Sequence, residues 1–94
     1  MQDELARRCG RGSKVEMFYT YVLLSENDGK LYVGCTKNLK IRIEEHNRGL
    51  VTATKYRRPL KLIYFEGCLN ENKAFKREKY FKTGFGRRYL KERI

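Results

Sequence analysis

The sequence predicts a small α/β domain, a largely antiparallel sheet covered by helices, on three observations. Two aromatic and β-branched runs flank an Asp28-Gly29 turn signal, and a third such run occupies 60–68. Two stretches of helical periodicity, each opened by an asparagine, are interleaved with them. Ninety-four residues accommodate one domain of this kind and leave no room for two.

Each element has a local cause. Residues 1–16 (MQDELARRCGRGSKVE) combine glycines and basic residues with almost no apolar periodicity, so they read as a flexible leader ahead of a domain spanning 17–94. Residues 18–24 (FYTYVLL) and 31–35 (LYVGC) form a β-hairpin around SENDGK. Asn38 caps a helix that runs through His46 or Asn47 and is ended by Gly49 in a left-handed conformation. Residues 50–59 are a polar, basic loop, and 60–68 (LKLIYFEGC) alternate as a third strand. Asn70 caps a second helix running to about Thr83, where Gly84 stops it, and a short basic helix follows Gly86.

Composition narrows the function. Twenty-two Lys and Arg against 11 acidic residues give a net charge of +11, which points to an anionic partner, nucleic acid first. A membrane surface fits less well, because the basic residues alternate with acids and apolars instead of lining an amphipathic helix. No run approaches the roughly 18 apolar residues of a membrane span, and no export signal is visible, so a cytoplasmic location is expected. Cys9, Cys35 and Cys68 lack metal-ligand spacing, and with His46 as the single histidine they exclude an ordinary Cys/His zinc cluster. They read as buried thiols in a reducing compartment.

Several polar residues fall on faces that should be apolar. Period-two alternation places Tyr19, Tyr21, Leu23 and Ser25 on one face of the first strand and Tyr32, Gly34 and Thr36 on one face of the second. A tight turn centred on Asp28-Gly29 makes these the same face, leaves Tyr21 and Tyr32 about 13 Å apart along the strands, and lets Gly34 open a gap for a ligand. A bulge or wider loop would bring the tyrosines closer. On the first helix Leu39, Arg42, Ile43 and His46 share a stripe, and on the second Ala74, Phe75, Glu78 and Phe81 do. Bland explanations exist for each: packed strand tyrosines, an arginine stem along the core edge, a satisfied core histidine, a Glu78–Arg42 ion pair. Glu78 could instead hold a hard divalent cation. Together the five match what phosphodiester hydrolysis needs: a proton acceptor for water, cationic donors for the phosphoryl group and a metal for the leaving oxygen.

These residues resemble the GIY-YIG endonucleases, which include the N-terminal nuclease domain of a repair excinuclease and small standalone bacterial members. Tyr19-Thr20-Tyr21 and Tyr32-Val33-Gly34 stand at the two eponymous motifs, keeping the key tyrosine of each and the second glycine. Arg42-Ile43-Glu44-Glu45-His46-Asn47 is similar to the helix motif, Arg77-Glu78-Lys79 to the metal-binding glutamate segment, and Lys82 with Gly84-Phe85-Gly86-Arg87-Arg88 to the standalone ending. The resemblance implies a central three-stranded antiparallel sheet flanked by helices and one divalent ion, Mg²⁺ or Mn²⁺, on Glu78. It also implies a tyrosine general base drawn from Tyr21 and Tyr32, with Arg42 favouring the phenolate and stabilising phosphoryl charge, and His46 bonded to a tyrosine or relaying its proton. The substrate class is nucleic acid, DNA ahead of RNA. Larger members carry separate DNA-recognition domains, so this chain is expected to read shape or backbone, or to rely on a protein partner. Two rivals stand beside the nuclease: a nucleic-acid-binding protein that keeps the fold without cutting, and a basic ribosome-associated structural protein, which predicts no shared pocket for these side chains.

Overall fold

The computed structural model describes residues 16–94, so the leader expected at 1–16, Cys9 included, lies outside the described residues except for Glu16. The chain order is β1 (Phe18–Ser25), β2 (Leu31–Thr36), α1 (Leu39–Asn47), a 3₁₀ helix (Thr52–Arg57), β3 (Leu60–Cys68), α2 (Glu71–Phe81) and α3 (Gly84–Lys91). The sheet is antiparallel throughout with strand order β2-β1-β3, so the first strand, richest in apolar residues, is paired on both sides. No helix among the described residues is long and apolar enough to cross a membrane.

The hairpin register differs from that of a tight turn. Residues 26–30 form a wider loop in which the buried Ser25 hydroxyl accepts from the Asn27 and Asp28 backbone N–H groups, and Gly29 turns the chain at φ 73°. Tyr21 therefore pairs with Gly34 instead of Thr36, and Leu23 with Tyr32. The two tyrosines are now two residues apart along the ladder, about 7 Å instead of 13 Å. The faces are as the alternation predicts.

A bulge shapes the other side of β1. The β1–β3 register slips between Val22 and Leu23, so Val22 pairs with Tyr64 but Leu23 with Leu62, leaving Ile63 as the extra residue. Ile63 and Tyr64 consequently pack on the same side, against the core formed by Val22, Val33, Phe81 and Leu90. Leu60 and Leu62 join Tyr21, Leu23, Tyr32, Leu39 and Ile43 on the opposite side. The sheet thus separates two small cores, one under α1 and one under α2 and α3.

Helix ends follow side-chain chemistry. The Asn38 and Asn70 side chains accept from the N–H groups of Ile41 and Lys73 at 3.1 and 3.0 Å. Gly49, at φ 80°, turns the chain after α1. The expected stop at Gly84 is not where α2 ends. The helix closes at Phe81, and the Thr83 hydroxyl accepts from Gly86 N–H at 3.1 Å, so Thr83 caps α3, which begins at Gly84 and not after Gly86. A Cβ at Gly86 would collide with the Tyr80 backbone, so only glycine lets α3 fold back so tightly on α2. Phe75, expected on the apolar face, is 46% exposed, because the buried stripe runs through Ala74 and Phe81 with Arg77 and Glu78 beside it. The thiols of Cys35 and Cys68 are free and half-buried, not fully buried as expected.

Candidate active site

The core under α1 is unusually polar. Tyr21, 1% exposed, lays its ring across Gly34, where any Cβ would strike the phenol. The gap expected at Gly34 is therefore filled by the tyrosine itself and is not open to a ligand. The Tyr21 hydroxyl meets His46 Nε2 at 2.8 Å, and the fully buried His46 meets the Thr54 hydroxyl through Nδ1 at 2.7 Å. Tyr32, half-buried, stands with its ring centroid 5.1 Å from that of His46 and 6.5 Å from that of Tyr21.

Arg42 and His46 share a face of α1 because they are four residues apart. The Arg42 guanidinium lies on the rim, 3.0 Å from Glu45, so the Arg42–Glu78 pair offered as a bland explanation does not form. It is close enough to Tyr21 to act on the hydroxyl's ionisation. Glu78 instead pairs with Lys82 at 3.1 Å, one turn along α2. Its carboxylate is 22% exposed and the lysine half in solvent, so this is an open ion pair and not a closed core contact. Glu78 acts through space on Cys35 and, as the last of several influences, on Tyr21.

The electrostatics follow from burial. Burial raises the Tyr21 phenol above its usual value of 10.0, opposed by Arg42 and reinforced by Tyr32 and Glu78. His46 is pushed down to about 4 by burial and by Arg42, so at neutral pH it is an uncharged imidazole. A neutral ring has one donor and one acceptor nitrogen, and both are used here, as both partners are hydroxyls that can donate or accept. No buried side-chain polar atom is left without a partner among the described residues.

Among the described residues no group of three or more His, Cys, Asp or Glu side chains is gathered in metal-binding fashion. A lone accessible carboxylate suits Mg²⁺ or Mn²⁺, which keeps several waters and completes its shell with substrate phosphate.

Thr54 is the residue sequence reasoning passed over. It lay in a segment expected to be a plain loop, yet that segment is a 3₁₀ helix that turns Thr54 inward, fully buried, against His46. The only sequence signal was a β-branched polar residue among basic ones.

A three-stranded sheet with a tyrosine pair, a histidine and an arginine on one face makes a compact α/β domain with a polar site in its core. The chain belongs to the GIY-YIG family: the GIY-YIG catalytic domain matches residues 17–91. Similar curated proteins include a UPF0213 protein of Pediococcus pentosaceus, 48% identical over 66 residues, covering 69% of this chain and 68% of that one. A UPF0213 protein of Clostridium perfringens is 45% identical over 67 residues, covering 70% and 71% of the two chains. No solved structure matches this chain.

Proposed function

We propose that this domain is a metal-dependent endonuclease that hydrolyses a nucleic-acid phosphodiester, with DNA ahead of RNA as substrate and DNA repair or processing as its setting. The observation that carries the reading is the convergence on one buried phenol: His46 bonds Tyr21, Tyr32 flanks it, and Arg42 and Glu78 act on its ionisation from two different helices. Free thiols at Cys35 and Cys68 suit a reducing cytoplasm.

The chain's own groups divide the work. Tyr21 and Tyr32 supply the base that takes the proton of the attacking water. Tyr21 is the member with a proton exit, because its hydroxyl can donate to His46 Nε2 when Nδ1–H donates to Thr54. His46 enters this relay neutral, as an acceptor must. Arg42, half in solvent on the rim, offers its guanidinium to the phosphoryl oxygens and draws Tyr21 toward ionisation. Glu78 would hold the divalent ion, whose charge offsets that developing on the leaving oxygen.

The test is incubation of the protein with plasmid, branched DNA and structured RNA, with and without Mn²⁺, alongside Glu78→Gln and Arg42→Ala. Cleavage that needs both the ion and Glu78 is expected. Salt-sensitive binding with no Glu78-dependent cleavage of any of these would overturn the enzyme in favour of a non-cleaving nucleic-acid-binding protein.

A further inference from the structure

Beside the tyrosine cluster lies a second feature that the catalytic reading leaves unused. The 3₁₀ helix carries Tyr56 with 81% of its surface exposed. Its ring borders an open cleft of about 530 Å³ lined by Asn47, Lys55, Tyr56, Arg58 and Pro59. An exposed aromatic on a loose loop would mean little, but this backbone is pinned. The Asn27 side-chain amide donates to Tyr56 O at 3.1 Å, the Ser25 hydroxyl to Arg57 O at 2.6 Å, and Glu26 N–H to Pro59 O at 2.9 Å. Arg57 is tied to Asp28 at 2.8 Å, and Thr54 to His46. The fold thus fixes the backbone that presents this tyrosine to water.

The lining chemistry selects the ligand. Asn47 is committed to the backbone of β3, through its bonds to Leu60 N and O. That leaves an aromatic face and two cations, with the Lys55 ammonium 5.3 Å from the centre of the Tyr56 ring and no carboxylate in the lining. An aromatic platform flanked by cations suits a flat π-system joined to an anion, the description of a nucleotide. Bases in a duplex have their faces covered by their neighbours, so only an unpaired base can stack there.

We propose that Tyr56, with Lys55 and Arg58, forms a platform for an unpaired nucleotide of the substrate, so that this domain acts beside single-stranded segments such as flaps, gaps or junctions. This rests on the nuclease reading for the site next to it and names the substrate class of that site. The connection is short: Thr54, two residues before Tyr56, bonds His46, and Asn47, next to His46, lines the cleft. The platform and the tyrosine cluster are thus joined through one short 3₁₀ helix and the end of α1.

The experiment uses the full chain in chelator, so that cleavage plays no part. A single strand containing 2-aminopurine reports stacking by fluorescence quenching, and a duplex of equal length reports backbone binding by anisotropy. Tyr56→Ala should weaken single-strand binding by about tenfold and abolish the quench, leave duplex affinity within about twofold, and be rescued by Tyr56→Phe. Unchanged single-strand affinity and quench in Tyr56→Ala, or equal loss for single strand and duplex, overturns the proposal. Tyr56-dependent stacking without Glu78-dependent cleavage would instead overturn the nuclease reading alone. Glu78-dependent cleavage with Tyr56-independent binding would overturn the platform alone.

Discussion

The two faces of the sheet solve different problems with the same strands. Under α2 and α3, Val22, Val33, Phe81 and Leu90 make an apolar core, with Ile63, Tyr64 and Tyr89 packed around it. Its principal polar group, Arg77, is half-buried, bonded to Glu66 at 2.8 Å and packed against aromatic rings, with its charge centre 4.7 Å from Phe81 and 4.6 Å from Tyr89. Under α1 the buried set includes Tyr21, Leu23, Ser25, Leu60, His46 and Thr54, and hydrogen bonds join Tyr21, His46 and Thr54. A chain this short has no residues for separate layers of core and site, so one face serves stability and the other puts chemistry in its interior. Burial falls differently on the two. On the first face it falls mainly on apolar side chains, with Thr20 bonded to Ala74 O and Arg77 to Glu66, whereas on the second it shifts Tyr21 and His46 away from their charged forms and so sets their chemistry.

If that division holds, perturbations on the two faces should separate stability from activity. The largest loss is expected from Phe81→Ala, which empties the centre of the apolar core at a cost of about 3–5 kcal/mol. Urea unfolding measures it, and a loss under about 1 kcal/mol would show that the stabilising core lies elsewhere.

Acid should next single out the polar face. His46 is held near 4 in the fold against 6.5 when exposed, so the unfolded chain binds the extra proton between those values. Its contribution is complete above pH 6.5, falls as the pH drops, and is gone below about 4. The span is on the order of 3 kcal/mol, about 2 of it lost by pH 5. The carboxylates lowered by their partners, Asp28 and Glu66, start from 3.8 and 4.5 and lose stability only at lower pH. Unfolding free energies equal at pH 7 and pH 5 would contradict a neutral buried imidazole.

A smaller effect is expected from Thr54→Val, which keeps shape but removes the partner of His46 Nδ1. Stability should fall by about 1–2 kcal/mol, and kcat should fall more than KM rises, since Thr54 acts through His46 and does not meet substrate. A rise in KM alone would mean that Thr54 contacts substrate directly. Arg42→Ala should disturb the fold least, within about 1 kcal/mol, because its pair with Glu45 is exposed. It should nevertheless slow cleavage and move the alkaline rise of the rate to higher pH, because Arg42 lowers the pKa of Tyr21. An unmoved pH profile would detach Arg42 from the phenol.

Much of this was legible in local chemistry. Asn38 and Asn70 announce their helices because each side chain replaces a missing backbone partner within three residues, and residues 60–68 carry a strand with the bounds expected. Arg42, His46 and Glu78 stood out because a charge or imidazole on an apolar stripe needs a reason. Thr54 did not, since a threonine in a basic segment shows nothing unusual until the 3₁₀ helix turns it inward. Phe75 misled for the converse reason: helical spacing put it on one stripe with Ala74, Glu78 and Phe81, but α2 buries Ala74 and Phe81 and leaves Phe75 46% exposed.

By itself the sequence determined the order of the strands and α-helices, the pairing of the tyrosine faces and the family, because alternation, capping and motif spacing are local and repeat along the chain. Only the tertiary structure decided that the wider hairpin loop moves Tyr21 opposite Gly34, that the phenol fills the space the glycine leaves, and that Thr54 closes the line to His46. Each of these depends on where residues far apart in the chain come to rest, and register and burial are properties of the assembled core.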